Sequence, residues 1–240
     1  GTAYGPAGER PWRIVQEKTG PVSAVVRMDA VLASAEGREI GRLILRVRMA
    51  ADLPRFQVSH TFVYTGVSET VQIASMGLKM PFRPAETVRF GMDEYAAANE
   101  AEPEAGPVRL LQSIWCRCTL EQGAPGERRL LEFADFAPGW MDLDSRGLHT
   151  VVTFPAGLFW KEYPKEFYVE PSGMTWIGLV PAHADLAMDL RTGVRHKGTN
   201  WKATGFAKTH EMGFEFYRGP RRGDKDLLES AYGAPSAWAD

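Results

Sequence analysis

Residues 55–64 read Arg55-Phe56-Gln57-Val58-Ser59-His60-Thr61-Phe62-Val63-Tyr64, and their alternation decides the fold class. Phe56, Val58, His60, Phe62 and Tyr64 fall on one side of an extended chain, with Arg55, Gln57, Ser59 and Thr61 on the other. Period two is the mark of a β-strand with one dry face. Residues 39–49 (EIGRLILRVRM) repeat it, setting Leu43, Leu45, Val47 and Met49 against Arg42, Arg46 and Arg48. Residues 21–32, 71–80, 108–120, 148–154, 174–180 and 209–217 extend the series, divided by Gly, Pro and Asp turns. Two stretches suit at most a turn or short helix: residues 92–101, and residues 156–165, where Pro164 would stop it. These patterns predict an all-β protein with little helix, a large antiparallel β-sandwich or a barrel.

A chain of 240 residues, 44% hydrophobic and 24% charged, can bury a full core and is not of disordered composition. Its net charge of -2 argues against bulk attraction to nucleic acid, and no apolar run is long enough for a membrane-spanning helix. We expect neither as a partner. The first residues, Gly1-Thr2-Ala3-Tyr4, carry no Met and no basic leader, which suggests a segment of a larger protein. Residues 219–226 (GPRRGDKD) read as a linker.

Nucleotide-binding glycine loops, zinc-protease motifs and the serine nucleophile elbow are absent from the sequence. Cys116 and Cys118, read as i and i+2 on one strand, would share a face as reduced thiols, since that spacing does not suit a disulfide. No zinc spacing accompanies them. Asp142 and Asp144 would share a strand face that could suit Ca²⁺, but no further ligand pattern follows, and a solvated turn is the alternative. We expect no metal and no cofactor.

Three groups of residues carry candidate chemistry. Arg195, His196, Lys197 and Trp201 lie in a turn-rich segment ahead of the last strand. Cations beside an aromatic ring suit an acidic, ring-shaped ligand such as a uronic-acid sugar. His60 and His210 each share a strand side with aromatic residues, and an imidazole can take or give a proton near neutral pH. The alternative for each is a satisfied core histidine. Residues 159–165 (FWKEYPK) alternate aromatics and cations, so a sugar could stack on Trp160 or Tyr163 while Lys161 or Lys165 meets a carboxylate.

Four phrases, GPVSAVVRMDA, RFQVSHTFVYTG, GLHTVVTFPAGLFWKEYPKEF and GFAKTHEMGFEFY, occur in an order that resembles the central β-sandwich domain of the exo-rhamnogalacturonan-lyase-like (YetA-like) family. The resemblance covers roughly residues 12–230. It implies a galactose-mutarotase-like supersandwich over residues 1–218. Residues 219–240 would then be a linker and the start of a helical toroid domain. It further implies β-elimination on an acidic, rhamnogalacturonan-like polysaccharide or oligosaccharide, with flanking domains of the same chain as partners. In that reaction a base removes the C5 proton beside a carboxylate, and an acid protonates the departing C4 oxygen. By residue type His210, His60, Tyr163 and Lys208 suit the catalytic roles. Lys165, Trp160, Arg195, His196, Lys197 and Trp201 suit substrate binding. A non-catalytic carbohydrate-binding sandwich and a mutarotase- or hydrolase-like sugar enzyme are the rival readings.

Overall fold

Strands make up nearly all the regular structure of the chain. The computed structural model describes residues 2–8, 12–66, 72–155, 157–184, 186, 188–189, 205–224 and 226–227. Among them helix is represented by α1 (Leu158–Lys161), a 3-10 turn at Pro103–Ala105 and helical residues at 224 and 226–227. All strand pairs with a defined register are antiparallel, as the alternation predicts. The chain divides into two compact units, residues 1–74 with 187–211, and residues 75–186 with 212–240.

The first unit is built on β1 (Gly5–Pro6), β2 (Arg13–Thr19), β3 (Ser23–Ala33), β4 (Glu39–Ala50) and β5 (Arg55–Tyr64). β3 pairs with β1, β2 and β4, and β4 pairs with β5. In β5 the alternation holds from Val58 onward: Val58, His60, Phe62 and Tyr64 are buried, whereas Ser59, Thr61 and Val63 are half-buried; Phe56 is half-buried like its neighbours. A short pair, β6 (Gln72–Ile73) with β17 (Met188–Asp189), belongs to the same unit. The last strand, β18 (Ala207–Arg218), runs beside β5 through its first residues.

The second unit is a two-sheet sandwich. One sheet takes the C-terminal part of β18, then β14 (Leu148–Thr153), β13 (Trp140–Ser145), β8 (Thr87–Phe90) and β9 (Glu100–Ala101). The other runs β12 (Arg129–Ala134), β11 (Arg117–Gln122), β10 (Val108–Ile114), β15 (Lys165–Val169), β16 (Met174–Val180) and β7 (Met76–Pro81). Phe167 of β15 joins the layers. Its ring lies 6.3 Å from that of Phe90, 5.8 Å from Phe154 and 4.9 Å from Phe159. All four rings are buried, and each contributes roughly 1.5–3 kcal/mol by leaving water.

The structure corrects the reading of residues 108–120 as one strand. It makes a hairpin there, with Leu110 opposite Leu120 and Cys116 in the turn. The turn contains no Gly, Pro, Asn or Asp, so composition gave no warning. It is held by a register shift after Gln112 and by the Ser113 hydroxyl, which donates to the Arg117 carbonyl at 3.2 Å. Both thiols are free. Residues 71–80 are likewise divided, into β6 and β7. Asp142 is not in a solvated turn but is a buried residue of β13. The described residues after Arg218 also pack onto the second unit: Arg221 donates to the Glu100 carboxylate at 2.6 and 2.9 Å, and Leu227 is buried against Trp140 and Val151.

Candidate functional site

The two histidines singled out by the sequence occupy paired positions on adjacent strands. The hydroxyls of Thr61 and Thr209 are 2.8 Å apart, and the Tyr64 amide donates to the Phe206 carbonyl at 2.9 Å. This antiparallel register sets His60 of β5 opposite His210 of β18 on the buried face, with Lys208 on the same face toward its exposed end. His60 is 3% exposed and His210 5%. Burial drives the His60 imidazole down to about 4, and its Nδ1 has no hydrogen-bond partner among the described residues. At neutral pH His60 is therefore uncharged, able to accept a proton but not poised to donate one.

Trp160, Tyr163 and Lys165 belong to the second unit. The Trp160 ring lies 5.6 Å from Phe136 and 5.3 Å from the Lys161 ammonium, and Tyr163 is 44% exposed. Lys165 is fully buried, its Nζ donating to the Glu162 carbonyl at 2.8 Å and lying 3.7 Å from the Glu162 carboxylate. Arg195, His196, Lys197 and Trp201 lie outside the described residues.

A cleft of about 350 Å³ lies over the outer face of the six-stranded sheet in the second unit, lined by Arg109, Leu111, Thr119, Glu121, Arg128 and His183 among others. β10 and β11 alternate, so Val108, Leu110 and Leu120 point into the core while Arg109, Leu111, Thr119 and Glu121 face the cleft. On the neighbouring β15, Glu166 stands opposite Leu111 and Tyr168 opposite Arg109. Glu166 is fully buried, and its Oε1 is 3.0 Å from His183 Nδ1. The same Oε1 accepts from the Ala182 and His183 amides, the latter at 3.2 Å. The His183 ring stacks on Tyr168 at 3.6 Å. Gly178 makes room for Glu166, because a Cβ there would stand 2.6 Å from Glu166 Cγ.

Both arginines of the cleft donate to the main-chain oxygen of His183, Arg128 at 2.7 Å, and Arg109 also meets Glu121 at 2.5 Å. Arg109 Nε, Arg128 Nε, Arg128 Nη2 and Glu166 Oε2 have no hydrogen-bond partner among the described residues. Burial, followed by the neighbouring Arg109 charge, pulls the Arg128 guanidinium below its ordinary value.

A third cluster occupies the outer face of the other sheet of this unit. Arg146 and Gly147, with φ of 57° and 74°, form a two-residue loop of type I′ geometry that pairs Ser145 with Leu148. That hairpin brings β13 and β14 together, and His149 Nδ1 lies 3.0 and 3.2 Å from the Asp142 oxygens. The Tyr217 ring stacks on His149 at 4.4 Å, its hydroxyl donates to Asp142 at 3.3 Å, and Arg222 lies 4.1 Å over its other side. Burial, and then the Asp142 charge, push the Tyr217 hydroxyl up to about 12. Among the described residues no group of three His, Cys, Asp or Glu side chains could hold a metal ion.

The match that bears on identity lies in the N-terminal third. Residues 12–92 match the PcRGLX-like protein central beta sandwich domain. This PcRGLX-like segment runs from β2 to the end of β8 and includes His60; the clusters around His183 and His149 come from residues beyond it. A comparison with curated proteins finds no match. The crystal structure of a candidate aldose 1-epimerase from Escherichia coli K12 shares 11% identity over 87% of this chain and 69% of that one, with a TM-score of 0.38, a likeness that carries no argument.

Proposed function

We propose that this chain is the β-sandwich domain of a multidomain polysaccharide lyase that cleaves an acidic, rhamnogalacturonan-like glycan by β-elimination. The observation that carries this reading is the PcRGLX-like match over residues 12–92. Its acid–base groups are His60, Lys208 and His210 on one face of the first unit, with Tyr163 as a further candidate. Trp160, Arg195, His196, Lys197 and Trp201 are its glycan contacts, whereas Lys165, with no exposed surface, braces the loop through the Glu162 carbonyl. The developing negative charge at C5 needs cationic or hydrogen-bonding groups beside it.

The test uses the full-length protein and the ultraviolet absorbance of the unsaturated product. The expected result is product from the full-length protein, little or none from the 240-residue chain alone, and turnover lower by on the order of 10²–10⁴-fold in full-length His210→Ala. Wild-type turnover in a His210→Ala protein of normal Tm would take His210 out of the reaction.

A second reading has its own observation in favour. Near-complete burial of His60, His210 and Lys165 suits side chains that support a fold, and so a sandwich that holds glycan without cleaving it. Binding of rhamnogalacturonan by the full-length protein with no new double bond would establish that reading.

A further inference from the structure

We propose that the cleft over the six-stranded sheet is a binding site for a carboxylate-bearing sugar, a single uronate residue, seated on Arg109 and Arg128. The anion follows from the charge pattern. Arg109, Arg117 and Arg128 line the cleft, against Glu121 on its wall and Glu166 beneath it, which leaves one positive charge in excess. Arg109 is 7% exposed and ion-paired on one side, yet among the described residues its Nε has no hydrogen-bond partner, and neither have Arg128 Nε and Nη2. Two guanidinium groups that converge on one neutral carbonyl oxygen repel each other, and a carboxylate at their edges would relieve that repulsion through paired, charge-assisted hydrogen bonds.

The sugar follows from the remaining walls. Leu111 offers an apolar floor, while Ser113 and Thr119 supply hydroxyls on the same face. A cavity of about 350 Å³ lies at the small end of ligand pockets and holds a monosaccharide with room for its glycosidic neighbours. Glu166 Oε1, 3.0 Å from His183 Nδ1, holds the imidazole at the cleft wall. The choice of a uronate over other organic acids rests on the glycan reading above, whereas the anion preference stands on the geometry alone.

The test is titration of the 240-residue chain with sodium galacturonate, followed by calorimetry and by amide chemical shifts. Saturable binding is expected, with shifts confined to β10, β11 and residues 182–184. Galactose, which lacks the carboxylate, should bind at least tenfold more weakly, as should acetate and inorganic phosphate, which lack the ring. Arg128→Gln should weaken galacturonate at least tenfold at unchanged Tm. Glu121→Gln removes the internal competitor for Arg109 and should tighten it, so the sign of this second variant tests the site even if Arg128→Gln folds poorly. Equal affinity for galactose, unchanged affinity in both variants, or no saturable binding would overturn the proposal, and acetate as tight as galacturonate would overturn its sugar part. Binding here without an unsaturated product from the full-length protein would sink the lyase reading and leave the site standing; product without binding would do the reverse.

Discussion

His149 and Asp142 form a buried hydrogen-bonded couple across two adjacent strands, with Nδ1 3.0 Å from one carboxylate oxygen and both side chains 1% exposed. Removing the carboxylate leaves the imidazole, Tyr217 and Arg89 around an unfilled polar space. Asp142→Ala should therefore cost about 3–5 kcal/mol in urea unfolding, and Asp142→Asn, which keeps an acceptor, clearly less. In Asp142→Asn the Tyr217 hydroxyl should also titrate below its present value of about 12, because a negative neighbour is gone, yet remain above 10 because burial is the larger cause. Spectrophotometric titration of tyrosinate measures both.

His60 should make the protein acid-sensitive. Its imidazole titrates near 4 when folded and near 6.5 when unfolded, so the unfolded chain binds the extra proton between those values. Stability from this group is complete above pH 6.5 and is lost as pH falls toward 4. At about 1.4 kcal/mol per unit the loss is roughly 3 kcal/mol. Urea melts of wild type and His60→Phe at pH 7 and pH 4.5 should show the excess acid sensitivity in wild type alone.

Gly178→Ala should disturb the cleft from beneath. The new methyl group would meet the Glu166 side chain, which is buried and cannot swing into solvent. An overpacking cost of about 1–3 kcal/mol is expected. Displacement of Glu166 should also loosen its hold on His183 Nδ1, visible as a change in the imidazole proton resonances.

The two thiols should differ in reactivity. Cys118 lies fully buried on β11, where burial pushes its thiol far above the ordinary range, whereas Cys116 sits half-buried in the hairpin turn. A thiol reagent at pH 8 should modify one cysteine per folded chain rapidly and the second only on unfolding, and Cys116→Ser should abolish the fast phase.

The all-β class was legible because β5 sets Phe56, Val58, Phe62 and Tyr64, and β18 sets Met212, Phe214 and Phe216, on one side of the chain, and period two is visible in sequence alone. The opposition of His60 and His210 was not, since register between strands about 150 positions apart is set by pairing that no local pattern encodes. The same reason hid the cleft. Arg109, Glu121, Glu166 and His183 come from three strands and a loop, and their meeting depends on β10 lying between β11 and β15. One local clue existed: in residues 165–169, alternation sets Glu166 and Tyr168 apart from Phe167 and Val169, a polar pair on a strand with no wet residues at its ends. Asp142 was misread because its flanking Asp144, Ser145 and Arg146 resemble a surface turn, and its partner His149 becomes its neighbour when the hairpin closes.

The segment after β18 covers the polar face of this sheet. Arg221 and Arg222 tie it to Glu100 and Glu215, and Leu227 closes over Trp140 and Val151. A chain cut after Arg218 would keep every strand and every strand pair, yet water would reach the polar face that carries His149. Secondary structure would be intact by circular dichroism while the ionisable groups of that face titrated as surface groups do. Among the described residues, solvent exclusion over this face thus extends nine residues beyond Arg218, the last residue of the hydrogen-bonded ladder.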